Sequence, residues 1–148
     1  MVNKLVDVGE EFFIKYIWKH SKVSSVDTVE VALFNSGEDE ITDCLDLPLD
    51  SEPSDGNYER QVLSFDSEDV SISKVDGSWV MYFRNHTFDV RNTTGSVDHY
   101  AVIVEFESDD KGDSSPQKHI CFVGELNELK DLTTDDQVTL EEAGFSLE

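Results

Sequence analysis

The sequence predicts a mainly β protein, a β-sandwich or partly open barrel with one N-terminal amphipathic helix. Three observations predict it. Apolar spacing follows a helical period of about 3.6 as far as residue 20, then changes to about 2 after Ser24-Ser25. Short alternating runs recur from there on, separated by turn residues. The most apolar run, Tyr100-Ala101-Val102-Ile103-Val104-Glu105-Phe106, has the continuous character of a central strand buried on both faces.

The helix is expected over about 8–20. Asp7 can cap it, with Glu10 three residues on as the partner of a capping box. Phe12, Phe13, Tyr16 and Ile17 recur at helical spacing, and Lys15, Lys19 and Lys22 stand toward the end that favours cations. Thr28-Val29-Glu30-Val31-Ala32-Leu33-Phe34 reads as a strand closed by Asn35-Ser36-Gly37. Residues 36–57 read as a long exposed loop with a short element around Ile41 to Leu47. Tyr58 to Phe65 and Val70 to Val75 alternate as strands, and Asp76-Gly77 is a hairpin turn. Trp79 to Phe83 and the short Phe88-Asp89-Val90 follow. After the central strand come a solvated loop at Asp109 to Pro116, a strand over Ile120 to Leu126, and a last pairing segment. That segment is Gln137 to Leu140 with Phe145-Ser146-Leu147. No repeat or internal boundary divides the chain, so residues 1–148 are expected to form one domain with a β-rich body over about 27–148.

Composition supports a folded chain with an unusual surface. Nine Phe, four Tyr and two Trp supply core material within a hydrophobic share of 38%. Asp and Glu number 33 against 11 Lys and Arg, for a net charge of −22. Such a surface repels itself in dilute buffer, whereas molar salt cuts the screening length to about 3 Å. The acids lie between apolar runs, where a disordered acidic tail would gather them in one block. No phosphate-tracking basic face is present, so nucleic acid is not expected as a direct partner. No apolar run approaches the roughly 18 residues that span a bilayer, so no membrane is expected. The opening residues lack the pattern of a secretory leader, and synthesis in the cytoplasm is the expectation.

Catalytic and cofactor fingerprints are missing: no GxSxG, HExxH, Walker or dinucleotide-binding motif occurs, and no enzyme activity or cofactor is expected. Cys44 and Cys121 are far apart and form no CxxC pair; Cys121 reads as a small core residue. His20, His86, His99 and His119 show no ligand spacing, so no metal site is expected. Asp109-Asp110-Lys111-Gly112-Asp113 and Glu38-Asp39-Glu40 offer oxygen ligands but lack the spacing of a calcium loop. Asn85-His86-Thr87 and Asn92-Thr93-Thr94 match the glycosylation acceptor pattern and are expected to go unused.

One ordered set of segments carries a resemblance. The amphipathic helix is followed by Val29-Glu30-Val31-Ala32-Leu33-Phe34, then Gly56-Asn57-Tyr58-Glu59-Arg60-Gln61-Val62-Leu63-Ser64-Phe65. His99-Tyr100-Ala101-Val102-Ile103-Val104 and a closing Asp135-Asp136-Gln137-Val138-Thr139-Leu140 come later. This order resembles small structural proteins of tailed double-stranded DNA viruses. It departs from them in replacing glycine-rich spacing with acidic loops, and dispersed acid with scarce Lys resembles the proteins of salt-accumulating haloarchaea. The resemblance implies a virion component of a haloarchaeal tailed virus, decorating or cementing the capsid or forming part of the tail. Its partners would be other virion proteins and further copies of itself. Phe12, Tyr16 and Lys19 on the helix, with Tyr58 and Arg60 at the strand start, are the expected contact residues, since aromatics and Arg are favoured at interface hot spots. A soluble β-sandwich binding module of a halophilic host is the alternative, and an acidic mesophilic protein that mimics nucleic acid or buffers cations is the rival account of the charge.

Overall fold

The computed structural model describes residues 4–5, 28–41, 47–64, 69–76, 78–106, 117–141 and 143–147. The helix expected over 8–20 lies outside these residues, as do Cys44, the 109–116 loop and the side chain of Cys121. The described chain is mainly β and all its strand pairings are antiparallel.

The largest sheet has five strands. They are β1 (Lys4–Leu5), β2 (Thr28–Phe34), β3 (Gln61–Ser64), β7 (Ser96–Phe106) and β8 (Gln117–Asp131), in the order β1-β8-β7-β2-β3. Alternation in β2 sends Val29, Val31 and Leu33 to one face and Ala32 and Phe34 to the other. Register continues this pattern in β7, where Tyr100, Val102 and Val104 lie opposite Leu33, Val31 and Val29. Ala101 and Ile103 point the other way, and Tyr100 through Val104 are each at most 3% exposed. The run expected to be buried on both faces is therefore a central strand of the sheet. Each large side chain buried this completely contributes about 1.5–3 kcal/mol.

Several strands expected from the pattern begin or end elsewhere. β3 starts only at Gln61, three residues after Tyr58, and β8 runs on through Asp131. That extension, Asn127 to Asp131, has little apolar signal; it is held by pairing, with Lys130 opposite Val97 and Asp131 opposite Ser96. Irregular register at Val97/His99 separates it from the core pairing, and a second irregularity at Val102/Ile103 lies within that pairing. The last pairing segment is two strands, β9 (Gln137–Leu140) and β10 (Gly144–Leu147), broken at Glu141 to Ala143.

The remaining strands are β4 (Val70–Val75), β5 (Ser78–Phe83) and β6 (His86–Asp89). β4 and β5 form the expected hairpin, and Asp76 takes the left-handed conformation (φ 51°) that its turn requires. β5 pairs with β10 and β6 pairs with β9. Between these pairings the Phe83 N–H donates to the Ala143 carbonyl at 2.7 Å. Residues 78–89 and 137–147 thus make one antiparallel ribbon that bends at Arg84-Asn85. Phe83, Phe88, Val138, Leu140 and Ala143 of this ribbon share a core with Leu33, Leu63, Tyr100, Val102 and Phe122 of the large sheet.

The opposite face of the large sheet is covered from the 35–57 region. Leu49, 5% exposed, and the half-buried Ile41 and Leu47 pack on Ala32, Phe34, Ala101, Ile103 and Ile120. This corrects the expectation of a long exposed loop; the short element expected around Ile41 to Leu47 falls on residues 42–46, outside the described chain. Ile41, Leu47 and Leu49, set in a strongly acidic stretch, seat it because sheet residues on that side need cover.

Candidate functional site: the edge of the second strand

β3 pairs with β2 only as far as Gln61 opposite Val31. Beyond that point the amides of Leu33 and Asn35 have no strand beside them on this edge among the described residues, and two side chains take its place. The Leu33 N–H donates to the Tyr58 hydroxyl at 3.0 Å, and the Asn35 N–H donates to Ser51 Oγ at 2.8 Å. The chain between Leu49 and Arg60 finishes the sheet edge with side chains, which removes donors that would otherwise attract another strand.

These two residues are themselves held by carboxylates. The Tyr58 hydroxyl donates to Glu52 Oε1 at 3.0 Å, and its ring stacks on Phe88 with centroids 5.9 Å apart. Arg60 grips the same Glu52 through two bonds, Nε to Oε1 and Nη2 to Oε2, both 2.8 Å. The second Arg60 terminus reaches Glu30 Oε2 at 3.3 Å, and Lys118 Nζ approaches the same oxygen at 2.9 Å. Two cations and two carboxylates therefore alternate from Lys118 through Glu30 and Arg60 to Glu52. Planar, bidentate Arg–carboxylate geometry is the strong form of such a contact. Burial and the adjacent Glu52 charge push the Tyr58 hydroxyl above its ordinary range. The Glu52 bonds raise Arg60 further, against its own desolvation.

Ser51 is positioned in the same way. Asp39 accepts bonds from the Ser51 and Asp50 amides at 2.8 and 3.0 Å, and from the Ser51 hydroxyl. Burial pushes Asp39 up, but these bonds outweigh it and leave the carboxyl below its ordinary range. Other acids do equivalent work elsewhere. Asp98 accepts from the Ser36 amide and hydroxyl at 2.8 and 2.7 Å; Asp55 accepts from the Thr94 amide and hydroxyl at 3.0 and 2.6 Å. Each is a hydrogen bond to an ionised acceptor from a distant part of the chain, favourable to the charged form.

The turn at 55–57 is locked against the turn at 91–94. Gly56 has φ +63°, and a Cβ there would stand 2.2 Å from the Asn92 carbonyl oxygen. The Asn57 amide donates to the Arg91 carbonyl at 3.0 Å, while Asp89 is shared by Asn57 and Arg91. Beside them a shallow polar groove of about 430 Å³ is lined by Gly56, Asn57, Glu59, Gln61, Thr87 and Asp89.

Of the expected contact residues, Phe12, Tyr16 and Lys19 lie outside the described chain. Tyr58 and Arg60 are brought together, and their polar groups are engaged within the molecule. Glu30, Glu52 and Lys118, which complete the cluster, gave no local signal; they come from separate segments. Among the described residues Val62, Tyr82 and Leu129 are the large apolar side chains left exposed. Asn85 and Asn92 are exposed, whereas the residues following them, His86 and Thr93, are buried. His99 lies beside Asp98 (2.9 Å) and within 3.9 Å of Glu125. No group of three or more His, Cys, Asp or Glu side chains among the described residues is placed to hold a metal, and no described helix is long and apolar enough to cross a membrane. Comparison with family models, with curated proteins and with solved structures found no match for this chain.

Proposed function

We propose that this chain is a structural protein of a tailed virus particle that infects a halophilic archaeon. It decorates or cements the capsid or forms part of the tail, with other virion proteins and further copies of itself as partners. The observation that carries the reading is the placement of the segments behind the viral resemblance. Val29 to Phe34, Gln61 to Ser64 and His99 to Val104 are β2, β3 and the middle of β7, side by side in one sheet. The stretch between the first two is the one that seals the sheet edge through Tyr58, Arg60 and Glu52. In this reading the molecule is a β-sandwich whose layers are the large sheet and the bent ribbon. Its work is to bury surface between subunits at high salt, with no reaction performed.

Protein mass spectrometry of particles purified on a density gradient in molar salt tests the reading. The chain should band with the particles at a copy number matching a symmetric component. Its restriction to the soluble host fraction would overturn the proposal. A second reading, a soluble binding module of the host, draws on the polar groove beside Asn57, Gln61 and Thr87. It predicts a monomer in molar salt and no band with particles.

A further inference from the structure

The bend of the ribbon holds the most unusual polar group among the described residues. His86 is the first residue of β6, directly after the Arg84-Asn85 break, and it is 4% exposed. Its Nδ1 lies 2.9 Å from the Arg84 carbonyl, an atom that can only accept, so Nδ1 carries the proton. The neutral ring then has its lone pair on Nε2, and Nε2 is buried without a hydrogen-bond partner. A bare buried acceptor of this kind calls for an explanation. Protonation makes the position worse, because it creates a charged donor at a buried nitrogen that has no acceptor.

Among the described residues the surroundings contain little to receive that charge. On the β9 side the paired residue is Leu140, and within β6 the Phe88 ring stands 5.7 Å away. Two charged groups act on the imidazole: the Arg84 guanidinium repels a second cation, and Asp69 attracts one. Asp69 is engaged with Arg84, through both a side-chain contact and the Arg84 N–H donated to its carbonyl at 2.7 Å. Burial is the largest influence on the ring and pulls its affinity for a proton below the ordinary histidine range. The attraction of Asp69 does not reverse this.

We propose that His86 is an acid-sensitive latch on the ribbon: a proton taken up at Nε2 expels the imidazole and opens the β6–β9 pairing away from the large sheet. The position suits the role. The bend is where the paired ladder is already interrupted, and Phe88, Val138 and Leu140 beyond it form one wall of the core. The sign follows from linkage. A histidine whose folded affinity for protons is depressed is protonated first in the open form, so closure is fully favoured above about pH 6.5 and weakens as pH falls below it.

The test is amide hydrogen exchange of the full chain in molar salt between pH 7 and pH 5, corrected for intrinsic rates. At Phe88, Val138 and Leu140, whose amides donate across the β6–β9 pairing, the wild type should lose up to about tenfold protection per pH unit, the limit for uptake of one proton. Residues of β2 and β7 should hold their protection. His86→Phe keeps a ring without a titrating nitrogen, and His86→Asn keeps a donor toward the Arg84 carbonyl; both should flatten the response to under about twofold. Should either variant fail to fold, NMR titration of the wild-type imidazole decides, with a midpoint below 6.5 that coincides with β6–β9 opening as the expected result. Equal protection at both pH values in the wild type overturns the proposal. So does an unchanged response in both variants, or an imidazole that titrates while β6–β9 stays closed.

Discussion

Charged groups do different jobs at the β2 edge and at the turns on the surface. At the β2 edge, Arg60 and Glu52 are largely withdrawn from solvent, with side chains 24% and 13% exposed, and share a two-bond contact that also fixes Tyr58. At the surface, Arg91 meets Asp89 and Lys130 meets Glu128 over similar distances, 2.7 and 2.8 Å, with most of these groups in open water. The distances barely differ. What differs is how many neighbours rely on each pair and how much water surrounds it, so the same chemistry matters to folding in one place and hardly at all in the other. In a chain of net charge −22, sign and abundance say little, and connectivity says a great deal.

Substitutions can break this contrast in graded steps. Glu52→Ala should have the largest effect, about 3 kcal/mol in urea unfolding in molar salt, because it leaves the Arg60 charge with only the longer Glu30 contact and takes the acceptor from the Tyr58 hydroxyl. Removing Arg60 as well should recover part of that loss. Gly56→Ala should come close behind, at about 2–3 kcal/mol, since its Cβ meets the Asn92 backbone and its φ is left-handed. That change touches no charge, and a small effect would mean the 55–57 and 91–94 turns are free to separate. Tyr58→Phe should cost about 1–3 kcal/mol by leaving the Leu33 N–H unpaired in a half-buried site. Arg91→Ala should leave the thermal midpoint within error, and a clear drop would erase the distinction drawn here.

Acid gives a further handle on the same contrast. Asp39 and Asp98 lie below the ordinary carboxyl value of 3.8 although burial alone would raise them, because their hydrogen bonds to Ser51, Asp50 and Ser36 prevail. The unfolded chain therefore binds protons at these groups first. Their contribution is present above about pH 3.8 and disappears as pH falls through the lower folded values. Protonation also relieves repulsion among 33 acids, an opposing effect that molar salt largely screens. In molar salt the unfolding midpoint should therefore fall below pH 3.8, less steeply in Asp39→Asn than in the wild type. An identical slope in the variant would show that Asp39 is not coupled to folding.

Periodicity located β2, the β4–β5 hairpin and the two-faced β7 because each carries its signal locally: alternation, a turn residue with positive φ, or an unbroken apolar run. It overran β3 at Tyr58, where alternation continues but the side chains serve the neighbouring strand edge. It stopped short in β8, where Asn127 to Asp131 carry a single apolar residue, the exposed Leu129, and are continued by the pairing of Lys130 and Asp131. The Tyr58–Arg60 spacing drew notice as two residues suited to contact. Their partners could not be read in the same way, since Glu30, Glu52 and Lys118 are ordinary acids and a lysine until the strands align.

By itself the sequence determined a β body with an aromatic core and a heavily anionic exterior, because side-chain period and composition act through local geometry and solvent. Only the tertiary structure decided which few of the many acids carry the fold and which histidine nitrogen is sealed without a partner. Hydrogen bonds and desolvation depend on groups brought together from distant segments, and spacing along a chain does not encode that meeting.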